Sequence, residues 1–163
     1  MFPPRIFVII HTGMTILAEN RKAFHEMEVL EKHTAGISLF GYEVKAIKEG
    51  KADFEGSFVK VVDGKPEIFN LFIGSYSKRG EAVHGDPRRA RWLLLKDYEI
   101  KRLAAESSQK GFSIVPLKFI LDHGLIKLEI ALARGKKKFE KKADLKEKQE
   151  EVDLRRAANE AIP

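Results

Sequence analysis

The residues of this chain with the clearest chemical potential lie near its C-terminus. Residues 134–142 read RGKKKFEKK, six basic residues against one acidic residue, Glu140. Lysine and arginine at this density neutralise phosphate groups and release the counterions that surround a nucleic acid. The run therefore predicts contact with a polyanion, and nucleic acid is the first candidate.

The residues after this basic run favour a helix but give it little to pack. Asp144 followed by Glu147 suits an N-cap and N3 pair. Charge pairs four residues apart support the helix further on: Lys146 with Glu150, and Glu151 with Arg155. Large aliphatic side chains are too sparse for a continuous stripe: Leu145, Val152, Leu154 and Ile162. Two interpretations stay open, a solvated frayed tail or a segment that folds only on a polyanion.

The sequence shows no catalytic or metal-binding constellation. The five histidines stand apart from one another and the chain has no cysteine, so the usual spacings of metal ligands are missing. No G-x-S-x-G, P-loop or G-x-G-x-x-G motif occurs. His84 and Asp86 share a loop, where solvation or capping explains them better than a catalytic dyad. We predict a protein that is not an enzyme and that needs no cofactor and no metal.

The composition of the chain also favours an anionic partner. Thirty lysines and arginines against 24 acids give a formal charge of +6 and a pI near 9.4. This balance favours anionic partners, with a merely soluble basic protein as the alternative. The lack of cysteine excludes a disulfide framework and fits a reducing cytoplasm. A hydrophobic content of 44% is enough for an ordinary core.

The first residues hold only a short apolar run, Ile6 to Ile10. A bilayer span needs roughly 20 apolar residues, so no membrane role is expected. Met14 opens a segment that looks like a normal polar start, and we expect residues 1–13 to be dispensable. Residues 1–19 are accordingly predicted to be a disordered N-terminal extension.

Hairpin signals dominate the middle of the chain. A period of two predicts a strand from about residue 26, and Gly41 to Gly50 bracket a short helix. Asp63-Gly64 predicts a type I′ turn between two strands, and Asp122-His123-Gly124 a three-residue turn between two more. Residues 86–111 look helical, with Asp86 as a cap, Pro87 in the first turn and a restart at Asp97. About six strands and two or three helices in residues 20–133 predict a small closed barrel.

An ordered set of motifs then resembles one family. The stretches AGISLFGYEVKAIKEGKADFEGSFV, GDPRRARWLLLKDYEIKRL, KGFSIVPLKF and IALARGKKKFEKKADLKEK are similar to those of the SsrA-binding protein family, also called small protein B. The resemblance runs from Asn20 to about Arg156. It implies an oligonucleotide-binding-type, six-stranded antiparallel barrel with two or three helices. Residues 20–133 would bind RNA, and residues 134–163 would form a basic tail.

The resemblance also implies partners and a place of action. The family binds the tRNA-like domain of transfer-messenger RNA and delivers it to stalled ribosomes, with elongation factor Tu and GTP associated through that RNA. The tail would enter the small-subunit decoding centre and the empty message channel, where it becomes helical. The compartment would be the cytoplasm.

The resemblance implies two groups of functional residues. The RNA-binding group comprises Asn20, Arg21, Lys22, Thr34, Leu94, Lys127 and Arg134. The ribosome-binding tail comprises Gly135, Lys136, Lys137, Lys138, Phe139, Glu140, Lys141, Lys142, Lys146, Lys148, Arg155 and Arg156. Of the second group, Gly135 to Lys137 match the family's hinge, and Phe139 falls where members carry a residue that can stack on a base.

Some positions depart from the family pattern. Thr34 stands where glutamate is common, and Trp92 replaces a usual lysine; we expect Trp92 to pack rather than to stack on a base. Glu43 and Lys45 are interpreted as structural. A general single-strand RNA-binding barrel without a ribosomal role is the main alternative. An RNA-processing enzyme is a further one, but it lacks a visible site.

Overall fold

A computed structural model describes residues 8–10, 13–77, 85–136 and 138–160. Its elements, in chain order, are β1 (Val8–Ile10), β2 (Met14–Glu19), α1 (Arg21–Glu26), β3 (Met27–Ile37), α2 (Gly41–Lys48), β4 (Ala52–Asp53), β5 (Phe58–Val62), β6 (Lys65–Phe69), β7 (Phe72–Ile73), β8 (Arg91–Leu94), α3 (Asp97–Ser107), β9 (Phe112–Asp122), β10 (Leu125–Gly135) and α4 (Lys138–Glu160).

Six of the described strands close into an antiparallel ring. Its order is β9, β10, β3, β8, β6 and β5, and β5 returns to β9 through the pair Val59–Ile114. Closure leaves these strands without a long free edge. The predicted barrel is confirmed. A separate two-stranded sheet, β4 with β7, lies outside the ring.

The core fills the barrel because its long strands alternate. In β10, Leu128, Ile130 and Leu132 point inward and are buried, while Lys127 and Glu129 face outward. A second, smaller apolar cluster lies outside the barrel beneath α1. It is formed by Ala23, Leu117 and Ala131, with Phe24, Val29 and Val115 packed against it.

The first hairpin turn is confirmed and the second is shorter than predicted. Asp63 and Gly64 have φ of +48° and +74°, as a type I′ turn requires. Between β9 and β10 the loop has two residues, His123 and Gly124, with φ of +48° and +81°. Asp122 belongs to the strand and pairs with Leu125, so the predicted three-residue turn is wrong.

The predicted helix over residues 86–96 is also wrong. Residues 91–94 form β8, in which Arg91 and Leu93 are buried while Trp92 and Leu94 are exposed. Asp86 does act as a local cap, since Arg88 N donates to its Oδ1 at 2.9 Å, but it closes a turn rather than a helix. The helix begins at Asp97, where Lys96 N donates to Glu99 Oε2 at 2.9 Å. His84 lies outside the described residues.

The structure places residues 14–19 in the sheet, not in a disordered extension. They form β2, which pairs with β9 from Met14–Asp122 to Glu19–Lys118 and with β1 on its other side. A one-turn-and-a-half helix that the sequence analysis missed, α1, follows at once. Asn20 caps it by accepting from Ala23 N at 3.2 Å. The predicted boundary between the N-terminal extension and the barrel domain, at residue 20, therefore lies after β2 instead of before it.

Helix α4 begins seven residues earlier than the sequence predicts. It runs from Lys138 to Glu160, so Asp144 lies within it and does not cap it. From Lys142 onward every described side chain is exposed except that of Asp144, which is half-buried. The sequence analysis expected this segment to become helical on the ribosome, whereas here it is helical in the isolated chain. No helix among the described residues is long and apolar enough to span a bilayer.

Candidate nucleic-acid interface

Two predicted RNA-binding residues lie in one row across three neighbouring strands. Lys127 of β10 pairs with Gly36 of β3, and Gly36 pairs with Leu94 of β8. Residues directly opposite each other point to the same face of a sheet, here the outer face. Leu94 is 71% exposed. A Cβ at position 36 would lie 3.2 Å from Leu94 Cβ, so the glycine allows the leucine to lie over β3.

Lys127 is presented beside a carboxylate. Its Nζ donates to Asp122 Oδ2 at 2.9 Å, and its side chain is 37% exposed. His123 Nδ1 lies 2.5 Å from the other carboxylate oxygen of Asp122. The hydrogen bonds from Lys127 and His123 lower the pKa of Asp122. Because an exposed ion pair contributes little to stability, a phosphate group can replace Asp122 as the partner of Lys127.

Thr34 lies on the same outer face, two residues from Gly36. It is exposed and pairs with Glu129 of β10. Glu129 lies 3.5 Å from Lys32 Nζ and 3.6 Å from Lys118 Nζ. The outer face beside Thr34 is therefore a mixed patch of charges with a carboxylate on the neighbouring strand.

Asn20, Arg21 and Lys22 lie elsewhere, where the chain leaves β2 and enters α1. The amide of Asn20 is used within the fold, since it caps α1 and its Nδ2 donates to Pro116 O at 2.8 Å. Arg21 and Lys22 are exposed, and Lys22 Nζ lies 3.6 Å from Glu55 Oε1. Strands β9, β10 and β3 separate these residues from Leu94 of β8. Thr34, Leu94 and Lys127 thus form one group of predicted RNA-binding residues, and Asn20, Arg21 and Lys22 form a second.

The start of the tail is attached to α1 and the beginning of β3. Arg134 Nε donates to Glu28 Oε2 at 2.6 Å, and Gly135 is the last residue of β10. Lys136 N donates to Glu26 O at 3.0 Å. Lys136 Nζ donates to Phe24 O at 3.4 Å and also pairs with Asp144 of α4. This last hydrogen bond lowers the pKa of Asp144.

The tail residues fall into a described and an undescribed part. Lys137, and the side chains of Lys138, Phe139, Glu140 and Lys141, lie outside the described residues, so their predicted roles stay predictions. Along α4, the exposed basic residues are Lys142, Lys146, Lys148, Arg155 and Arg156. The predicted charge pairs are present, with Lys146–Glu150 at 4.0 Å and Arg155–Glu151 at 2.6 Å. Beyond residue 142 the sequence has four basic residues against five acidic ones up to residue 156, so only the first part of the tail is strongly positive.

A buried charge network, missed in the sequence analysis, positions β8. Glu43 and Arg91 are 2% and 1% exposed, and Arg91 Nε donates to Glu43 Oε2 at 2.6 Å. Arg89 pairs with the other oxygen, and Phe40 N donates to it at 2.9 Å. Burial raises the pKa of Glu43, but the hydrogen bonds from Arg89, Phe40 N and Arg91 outweigh it, and the net direction is downward. Burial lowers the pKa of Arg91, opposed by Glu43.

This network confirms Glu43 as structural. Arg91 Nη1 also donates to Leu71 O at 2.8 Å, so the network joins α2, the segment before β8 and the chain before β7. Lys45 is exposed and lies 5.0 Å from the centre of the Tyr76 ring. The sequence offered one signal for the network. Glu43 stands at the N3 position of a helix, where a carboxylate that accepts from the N-cap backbone is common.

Trp92 does not pack as expected. Its side chain lies on the outer face of β8 and is 57% exposed. The indole Nε1 donates to Glu67 Oε1 at 2.7 Å, and Lys65 Nζ lies 5.3 Å from the centre of the ring. The packing interpretation was wrong because the sequence alone did not show that residues 91–94 alternate as a strand.

These features define a small antiparallel barrel of the oligonucleotide-binding type with an exposed helical C-terminal extension. Among the described residues, no three histidine, aspartate or glutamate side chains come together as metal ligands. The profile of the family described as "SmpB protein" matches residues 17–160. The chain belongs to the SmpB family.

Similar proteins cover most of the chain. The SsrA-binding protein of Thermus thermophilus is 45% identical over 148 residues, which is 90% of this chain and 99% of the relative. That of Coprothermobacter proteolyticus is 42% identical over 144 residues, 88% of this chain and 96% of the relative. A solved chain described as "tmRNA-SmpB: a journey to the center of the bacterial ribosome" has a TM-score of 0.64 and 47% identity, covering 74% of this chain and 85% of that one.

Proposed function

We propose that this protein binds the tRNA-like domain of transfer-messenger RNA and brings that RNA to stalled ribosomes. The observation that carries the proposal is the outer row Lys127–Gly36–Leu94, which joins a cation to an exposed apolar side chain on one barrel face. Membership of a family whose relatives are named SsrA-binding proteins supports it. Lys127 contacts phosphate by exchanging its partner Asp122, and Leu94 contacts the sugar or base surface beside it.

The tail carries a second part of the function. It enters the small-subunit decoding centre and the empty message channel, with elongation factor Tu and GTP associated through the RNA, in the cytoplasm. This part of the proposal is supported by the contrast between the barrel and the tail. The barrel is closed and has its own core, whereas α4 exposes nearly all its described side chains and starts beside the basic run of residues 134–142. A helix without its own packing gains most of its stability from a surface it docks on.

The test of RNA binding uses two RNAs at matched salt concentrations. A transcript of the tRNA-like domain and an oligo(U) of equal length are titrated against the full-length protein between 50 and 300 mM KCl, on the order of the range over which phosphate contacts respond. We expect much tighter binding of the structured transcript. Equal affinity for the two RNAs would identify a general single-strand binder instead. Cleavage of the transcript during incubation would identify an RNA-processing enzyme.

The RNA that accompanies the protein in its own cell gives an independent check. The protein is isolated under native conditions and the co-purified RNA is sequenced. Enrichment of transfer-messenger RNA over other abundant RNAs is expected. A population that merely follows cellular abundance would contradict the proposal.

A further inference from the structure

Trp92 presents a large aromatic surface to solvent at a position where the fold has no need of it. Its neighbours in β8, Arg91 and Leu93, point into the barrel and are buried, and Trp92 points outward with Leu94. The network of Glu43 and Arg91 fixes the backbone of this strand from the inside. The ring is therefore held on a rigid strand without contributing to the core.

The orientation of the ring is set by one hydrogen bond. Glu67, directly opposite Trp92 on β6, accepts the indole N–H at 2.7 Å. This bond satisfies the only polar group of the side chain. What remains available is the π-surface. Lys65 Nζ lies 5.3 Å from the ring centre, and Trp92 is 57% exposed, so a large part of the ring is open to a planar partner.

The position of the ring places it within reach of an RNA bound at Lys127. Trp92 is two residues from Leu94, on the same outer face, and Leu94 shares its row with Lys127. From the strand spacing and the rise per residue, the backbones of Trp92 and Lys127 are roughly 12 Å apart. A short stretch of polynucleotide spans such a distance, and Lys65 adds a second cation beside it.

We propose that Trp92 is a base-stacking residue and that its ligand is an unpaired base of the RNA bound at the Lys127 face. This inference rests on the proposed function. Aromatic side chains on barrel strands, flanked by cations that follow the phosphates, are the general means by which such barrels hold unstacked bases. The flanking cations favour RNA over a protein surface, which exposed tryptophan also suits.

The chain offers an unusually direct test, because Trp92 is its only tryptophan. The intrinsic fluorescence of the full-length protein thus reports on this one ring. We expect the tRNA-like transcript to shorten the fluorescence lifetime of Trp92 in parallel with binding, since a stacked base quenches the indole. Binding measured by an independent method with no change in lifetime would overturn the inference.

Three variants separate stacking from charge. Loss of a stacked base costs roughly 5- to 150-fold in affinity, so W92L is expected to weaken binding by that amount. W92F keeps a ring and is expected to stay within about threefold of the parent. Because no phosphate contact is removed, W92L leaves the slope of affinity against salt unchanged, whereas K127A lowers it by about one. Melting temperatures of all three are measured to show that the barrel is intact.

The outcomes are distinguishable from failure of the proposed function. If the parent protein does not prefer the tRNA-like transcript, the proposed function fails. If the parent binds it, K127A weakens it and W92L does not, the proposed function stands and Trp92 is not a stacking residue. A change of lifetime that appears only when a protein partner is added to the RNA would overturn the inference in favour of a protein contact.

Discussion

At the scale of single residues, the side chains that stabilise the barrel lie inside it, whereas those available to bind a partner lie on its outer face. Glu43 and Arg91 are buried and satisfied, while Lys127 and Leu94 point outward in a row of their own. Along β8 the two kinds of residue alternate between the inner and the outer face. Substitutions at the two faces should therefore affect different measurements.

Replacing Lys127 by alanine should weaken RNA binding without unfolding the barrel. Lys127 faces outward between Ile126 and Leu128 of β10, and its partner Asp122 can remain solvated by water. Loss of one phosphate contact lowers the slope of log affinity against log salt by about one. The measurement is a set of RNA titrations at several salt concentrations. K101A, which removes an exposed lysine from α3, is the matched control, and a K127A curve identical to the parent's would remove Lys127 from the interface.

Replacing Glu43 by glutamine should destabilise the barrel strongly. The change keeps the shape of the side chain but leaves the buried guanidinium of Arg91 without its counterion. Breaking one side of a buried ion pair costs about 3 kcal/mol or more, which corresponds to a fall of roughly 6–12 °C in melting temperature for a chain of this size. Thermal unfolding followed by circular dichroism measures it. E55Q, which alters an exposed carboxylate, should melt like the parent.

The ion pair of Glu43 and Arg91 predicts that the stability of the barrel depends on pH. The pKa of Glu43 in the folded state lies below its ordinary value of 4.5. The folded state thus binds the proton less readily than the unfolded state. The contribution of Glu43 is fully present above about pH 4.5 and is lost as the pH falls through the lowered folded pKa. Denaturant unfolding of the parent and of E43Q from about pH 7 to about pH 3 should show the gap in stability narrowing below about pH 4.5; a constant gap would exclude this role for Glu43.

At the scale of elements, the sequence predicted those whose signals are local. Asp63-Gly64 specified its turn, and the period of two that begins near residue 26 predicted the start of β3. Strand β8 was mistaken for helix because arginine, alanine and leucine all favour helices, and its partners β3 and β6 lie far away in sequence. Strand β2 was missed for a similar reason, since it pairs with β9 about a hundred residues later. The candidate site shows the same limit. The family resemblance identified Lys127 and Leu94, but only the strand register shows that they lie in one row.

Helix α4 should be the least protected element of the free protein. Its described side chains are nearly all exposed, and its support consists of local charge pairs worth a few tenths of a kcal/mol each. We expect backbone amides of residues 142–160 to exchange on the order of 100-fold faster than those in the centres of β9 and β10. Hydrogen exchange followed by NMR or mass spectrometry measures this. Equal protection in α4 and β10 would show that the helix packs on a surface.

At the scale of the whole molecule, the barrel and the tail should be separable. Ending the chain after residue 137 removes no member of the core. We expect the shortened protein to melt within about 2 °C of the parent and to keep its affinity for the tRNA-like transcript. It should fail to support tagging of peptides on stalled ribosomes, because nothing enters the decoding centre and the message channel. A translation assay with a message lacking a stop codon measures tagging; persistent tagging, or a large fall in melting temperature, would contradict the division.

The attachment of the tail has a mechanical consequence. Helix α4 has 23 residues, which makes it an arm of roughly 35 Å. The contacts of Lys136 with Phe24, Glu26 and Asp144 lie at the pivot of that arm. A rotation of about 6° at the pivot moves the far end by roughly 3.5 Å, the diameter of an atom. A given angular change at the base therefore displaces Arg155 and Arg156 further than the same change near the tip, so the contacts of Lys136 contribute to setting the position of both arginines.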